Sequence, residues 1–238
     1  MDQNYYKSGE QMPPTPPTSV SSQISTVMTR VYLKMTLALV VTAFVSIWAA
    51  SGEFLMYYAT HSWLMWVLII AEFGIVIGVS SKIQTMDTTV ASLLFYVFAV
   101  INGLMLSPIF VIYTGTSIAK TFFITAGTFG AMSVYGYFTS NDLSKIGSYL
   151  TMALIGLIIA SVVNIFLHSS GLDWIISIVG VLIFIGLTAW DTQQIKQMSQ
   201  YAYGDTVSRI ATIGALSLYL DFINLFLYLL RFFGSSRD

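Results

Sequence analysis

Three acids stand inside runs of apolar residues that otherwise carry no charge: Glu72, Asp191 and Asp221. An ionisable side chain at the depth of a bilayer costs a few kcal/mol on the gentlest insertion scale, so each must pair, face water or carry a function. Around Asp221 the polar and small residues Gly214, Ser217, Asp221, Asn224 and Tyr228 recur at steps of three and four. On a helix that spacing makes one polar stripe, which belongs against protein or water and not lipid. Interhelical hydrogen bonding alone would also explain the stripe, although Asn or Ser would serve that purpose at lower cost than an acid. If Asp191 and Asp221 meet, two like charges in a low dielectric resist ionising together, and the pair would share one proton. Losing that proton would force the helices apart and leave an oxygen-rich, doubly anionic site suited to a hard cation such as Ca²⁺.

Other readings of the same acids stand beside this one. Asp191 is followed three residues on by Gln194, so it could cap a cytoplasmic helix running through Lys196 and Met198. Glu72 could line the same cation pathway, together with Asp221 and Asn224, or meet a polar residue such as Asn102 or Asn164. His61 and His168 have neither an HExxH pattern nor a third ligand, so interfacial packing accounts for them better than zinc does. An intramembrane aspartyl protease would also place one aspartate on each of two consecutive helices. Here, however, Leu218-Tyr-Leu220 precedes the second acid, where a substrate backbone would need room. No Gly-x-Ser-x-Gly elbow or phosphate-binding loop is present, and no enzyme is expected.

The elements that hold these acids follow from composition. Of 238 residues, 56% are hydrophobic and 9% charged, against about 25% charged in an ordinary soluble domain. At about 20 residues per span this length accommodates roughly seven helices and no large extramembrane domain. The spans are expected at Val31 to Ala50, Trp63 to Val79, Val90 to Ile112, Phe122 to Phe138, Tyr149 to Leu167, Trp174 to Trp190 and Ile210 to Phe233, within a transmembrane domain covering 30–238. This is an all-α integral membrane protein. Met1 to Thr29, with its Pro-Pro-Thr-Pro-Pro run, reads as a disordered tail without a cleavable signal. With that tail in the cytoplasm, Lys7, Arg30, Lys82, Lys145, Lys196 and Arg209 fall on the inner side. Lys120, Arg231 and Arg237 fall outside with the C-terminus, and Lys34 snorkels from within the first span. Gly74 and Gly78 form a GxxxG pattern that would permit close helix approach. Scattered basic residues and a net charge of -1 exclude nucleic acid as a partner, and the absence of cysteine excludes disulfides and thiolate metal sites.

Three stretches carry a family resemblance. They are Gly214-Ala-Leu-Ser-Leu-Tyr-Leu-Asp-Phe-Ile-Asn-Leu-Phe-Leu-Tyr-Leu-Leu-Arg-Phe-Phe233, Gly186-Leu-Thr-Ala-Trp-Asp-Thr-Gln-Gln-Ile-Lys196, and Phe129-Gly-Ala-Met-Ser-Val-Tyr-Gly-Tyr-Phe-Thr139 followed by Asp142-Leu-Ser144. Together they resemble the Bax inhibitor-1, or transmembrane Bax-inhibitor motif, family, bacterial type, over nearly the whole chain after Arg30. The resemblance implies seven transmembrane helices with the C-terminal one central and wrapped by the other six, and a calcium leak controlled by pH. It makes Asp191 and Asp221 a di-aspartyl proton sensor, closed when protonated and hydrogen-bonded. It places Glu72 near the pathway and leaves Lys82, slightly off register, as the nearest counterpart of a basic latch. The expectation is therefore a pH-sensitive Ca²⁺ leak channel or transporter in a bacterial inner membrane, with Ca²⁺ as transported ion, no cofactor, and the bilayer, protons and Ca²⁺ as partners. From a different class, the chain would be a regulatory protein that binds and restrains a membrane protease or cell-death factor.

Overall fold

The computed structural model describes residues 20–235 and is built from helices. In chain order they are α1 (Val20–Ser51), α2 (Glu53–Thr60), α3 (Ser62–Lys82), α4 (Thr88–Leu106), α5 (Ile109–Ile112), α6 (Gly115–Phe138), α7 (Ser144–Leu167), α8 (Ser170–Ser199) and α9 (Asp205–Phe233). Six helical segments, α1, α3, α4 continued through α5, α7, α8 and α9, are long and apolar enough to cross a membrane. The fourth expected span, within α6, has the length but not the apolarity. Ser117, Thr121, Thr125 and Ser133 fall on its buried side, and each hydroxyl lowers the hydropathy of the helix.

Two boundaries depart from expectation for clear physical reasons. Val20 to Thr29, assigned above to the tail, is helical: Gln23, Ile24, Val27 and Met28 recur on one face and are buried, so the stretch continues α1 instead of preceding it. The rest of that expected tail lies outside the described residues. The third expected span is broken because Pro108, which lacks an N–H and cannot sit in a helix interior, separates α4 from the single turn of α5. The GxxxG pair is also empty of partners, since a Cβ at Gly74 or Gly78 would meet nothing within 4 Å.

The helices are buried very unequally. In the most apolar stretch of α9 67% of residues are buried inside the protein, against 6% in α7 and 11% in α3. α9 packs against α8, α1, α6 and α4, and α8 in turn is held by α6 and α7. Without a hydrophobic force between helices in lipid, close backbone approach and hydrogen bonds must supply the association. Ser46 Oγ donates to the Gly103 carbonyl at 2.8 Å, and a Cβ on Gly103 would stand 2.8 Å from the Thr42 carbonyl, so α1 and α4 touch backbone to backbone.

The start of α4 lies outside the apolar layer and is capped by Asp87, whose Oδ1 accepts from Thr89 N at 2.8 Å and Val90 N at 3.2 Å. These backbone donors, Val90 first and Thr89 next, hold the Asp87 carboxyl below its usual range. A depressed folded value means that the cap is complete above the ordinary carboxylate range and is lost as pH falls through the folded value. Asp87→Ala should speed amide hydrogen exchange at Thr89 and Val90 near neutral pH, and acidification of the wild type should produce the same local fraying.

Candidate functional site: a facing pair of aspartates

The polar stripe of α9 faces α8 in antiparallel register. A Cβ on Gly214 would stand 3.0 Å from Ile195, and the Tyr228 ring stacks on Phe184 with centroids 5.9 Å apart while covering Gly180. Between these contacts the Asp191 and Asp221 carboxyls face each other at hydrogen-bonding range. Asp221 is 4% exposed, and its Oδ2 has no hydrogen-bond partner. Two carboxylates are acceptors only, so a hydrogen bond between them needs one proton. No cation offsets the charge: among the described residues the ion pair seen is Arg231 with Asp173, 3.0 Å apart at exposed helix ends.

Asp191 is not a cap. It lies in the interior of α8, which runs on to Ser199. Gln194, expected to complete that cap, is exposed, while its neighbours Gln193 and Lys196 clamp the α6–α7 connection. Gln193 Oε1 accepts from Leu143 N at 2.9 Å, and Gln193 Nε2 donates to the Asn141 carbonyl at 2.8 Å. Lys196 Nζ donates to the Tyr137 carbonyl at 2.6 Å and sits over the Tyr137 ring. Asp142, in the same connection, accepts from Ser144 N at 2.9 Å, and the Ser144 side chain and backbone hold its carboxyl below the usual range. The Asp142-Leu-Ser144 motif is thus a helix start seated on the helix that carries Asp191. Gln193→Leu would leave the buried Leu143 N–H unpaired, which should destabilise the protein by about 1–3 kcal/mol, read as a fall in the melting temperature of the detergent-solubilised protein.

The other sequence-derived residues are placed apart from this pair. Glu72, on α3, accepts from Asn102 Nδ2 of α4 at 2.9 Å, while Asn164 Oδ1 accepts from Ser169 N at the start of α8. Asn224 spends its amide on the Leu220 carbonyl one turn back in α9, at 2.8 Å. Lys82 is exposed in the last turn of α3, where a cation complements the helix dipole. The cavity of about 630 Å³ between α1 and α6 is lined by Tyr32, Met35, Phe129 and Phe222 among others, and by none of the three acids. Among the described residues no group of three or more His, Cys, Asp or Glu gathers to hold an ion.

Sequence reasoning missed two polar contacts on α9. Lys34 does not snorkel alone: its Nζ donates to Ser92 Oγ at 2.6 Å and Thr212 Oγ1 at 2.7 Å, joining α1, α4 and α9. Tyr219, wholly buried, bonds to Thr42 and Asn102. The seven-residue step from Thr212 to Tyr219 places both on one face of α9, and that spacing was the signal available.

These features define an all-helical membrane protein with an acid pair between its two most buried helices. A family model described as Inhibitor of apoptosis-promoting Bax1 matches residues 24–238, and the chain belongs to that Bax inhibitor-1 family. Inner membrane protein YbhL of Escherichia coli is 48% identical over 218 residues, covering 90% of this chain and 93% of its own. An uncharacterized protein of Rickettsia prowazekii is 47% identical over 212 residues, covering 89% and 90%. One from Borreliella burgdorferi is 51% identical over 181 residues, covering 75% and 78%. The name of the Escherichia coli relative and the six apolar helices fit a bacterial inner membrane protein.

Proposed function

We propose that the protein is a pH-sensitive Ca²⁺ leak channel or transporter, gated by protonation of Asp191 and Asp221. The observation that carries this reading is the facing carboxyl pair between α8 and α9, with Asp221 buried and one of its oxygens unpartnered. With one proton shared the helices are tied; with none, two anions repel across a low dielectric and α8 and α9 separate. Separation exposes the carboxylate oxygens to water and to a divalent cation, which they attract and release because they alone cannot complete its coordination. In this reading α6 is a seventh span, its hydroxyl face turned to the bundle, and α9 is the central helix about which the others move. The N-terminus lies in the cytoplasm and the C-terminus outside. No catalytic group is required, and no resident cofactor.

Asp221→Asn in reconstituted vesicles tests the reading. Loss or flattening of the pH response of Ca²⁺ flux supports it, and unchanged flux with unchanged pH dependence sinks it. The family's description as an inhibitor favours one rival, a regulatory protein that restrains a membrane partner. Deleting residues 1–19 separates the two, because an interaction protein would lose activity and a channel would keep its flux. The deletion must stop there, since Gln23, Ile24, Val27 and Met28 are part of the buried face of α1.

A further inference from the structure

On the face of α9 turned away from Asp191, a chain of hydrogen bonds leads back to the third acid. Glu72 Oε1 accepts from Asn102 Nδ2 at 2.9 Å, Asn102 Oδ1 accepts from Tyr219 Oη at 3.1 Å, and Tyr219 Oη meets Thr42 Oγ1 at 2.6 Å. Thr42 Oγ1 also stands 2.9 Å from the Ala99 carbonyl, to which it can donate. The Tyr219 ring is fixed edge-on between Phe95 and Phe98, each with its centroid 5.7 Å away, so the hydroxyl has little freedom to seek other partners. α3, which carries Glu72, packs on α4 and α2, and the Asn102–Tyr219 pair is its polar link to α9. The groups that face Glu72 are Asn102 from α4, Tyr58 from the α2 side and Tyr219 from α9, with Thr42 of α1 one bond further on. None of these is a cation.

The chain has a direction, and the proton on Glu72 sets it. An ionised Glu72 only accepts, so Asn102 must turn its amide N–H toward it and its carbonyl toward Tyr219, which then donates. Tyr219 has a single proton, so its oxygen must receive from Thr42, and the Thr42 proton is drawn away from Ala99. A neutral Glu72 can donate. Asn102 then presents its carbonyl to Glu72 and its N–H to Tyr219, Tyr219 donates to Thr42, and Thr42 is free to donate to Ala99. The two patterns use the same residues, with the three side-chain bonds reversed and the bond to the Ala99 carbonyl free to form in the second. We propose that Asn102 and Tyr219 are positioning residues that relay the proton on Glu72 to α9, making Glu72 a second proton-responsive station on the helix that carries Asp221. That α9 is the moving helix rests on the function proposed above; the relay itself does not.

The test is therefore read without Ca²⁺. The full-length protein in liposomes is treated with a hydrophobic carbodiimide, which adds to protonated carboxyls in apolar surroundings, and modification of Glu72 is followed by mass spectrometry. Tyr219→Phe keeps the ring between Phe95 and Phe98 and removes only the hydroxyl. Freed from Tyr219, the Asn102 amide can turn its carbonyl to Glu72 and favour the neutral, reactive form. Labelling at about pH 7 should rise about threefold, equivalent to half a unit of proton affinity, and the pH profile of labelling should be displaced with it. Thr42→Val, which cuts the chain beyond Tyr219, should act in the same direction more weakly. A packing defect would speed labelling at every pH without displacing the profile, and that outcome overturns the relay, as does a wild-type rate in both variants. A displaced profile in a protein that carries no Ca²⁺ would keep the relay and remove conduction, so the two failures are distinguishable.

Discussion

Asp191→Asn/Asp221→Asn should carry Ca²⁺ at a low rate that stays flat from about pH 5 to 8, the range into which a proton-sharing pair moves one of its titrations, while wild-type flux rises at least about tenfold. Asn preserves the shape of Asp and can donate and accept at any pH, so the paired amides hold α8 to α9 as the half-protonated acids do. The sign follows from the charge: the closed arrangement needs the shared proton, deprotonation opens it, and removing the ionisable groups leaves it closed throughout. Flux that remains pH-dependent in the double variant would move the sensor elsewhere, with Glu72 the next candidate. Flux that is high at every pH would mean that the acids close the path by charge and not by a shared proton.

Gly136→Ala should produce the largest structural effect of a single methyl group. A Cβ there would overlap the Ala189 carbonyl, and one on Gly147 would overlap the Trp190 ring. α6 and α7 therefore press on α8 at the two residues immediately before Asp191. The Ala189 backbone cannot swing aside as a side-chain end can, so the methyl must push the helices apart. Overpacking of this kind costs about 1–3 kcal/mol, seen as a lower melting temperature. Because the displaced residue stands two positions before Asp191, the same variant should leak Ca²⁺ faster than the wild type at acidic pH, where the wild-type path is largely closed. A Gly136→Ala protein with wild-type stability would show that α6 and α8 do not approach this closely.

The acid pair was legible because an acid amid apolar residues is conspicuous and the step of three and four from Gly214 to Tyr228 fixes one face; that face does meet α8. The partner of Glu72 was legible as one of two asparagines, and geometry selects Asn102. Tyr219 was not, since a tyrosine in a span reads as an interface anchor and nothing local shows a hydroxyl reaching two other helices. Glycines misled in both directions. Gly74 and Gly78 have the motif spacing but open surroundings, whereas Gly136 and Gly147 sit in no such pattern and mark the tightest approaches to α8. Close packing depends on what stands opposite, which a single sequence does not print. The helical start at Val20 was hidden for a related reason: Ser and Gln lower the hydropathy, yet Gln23 lies against the bundle and is 8% exposed.

The central claim is best tested by Ca²⁺ entry into proteoliposomes of the wild-type protein at about pH 6 and pH 8, either side of neutrality in the range open to a shared-proton pair, with protein-free vesicles as baseline. The account predicts entry above baseline at both values and several-fold faster at the higher one. Equal rates at the two values, or no entry above the protein-free baseline at either, would contradict it.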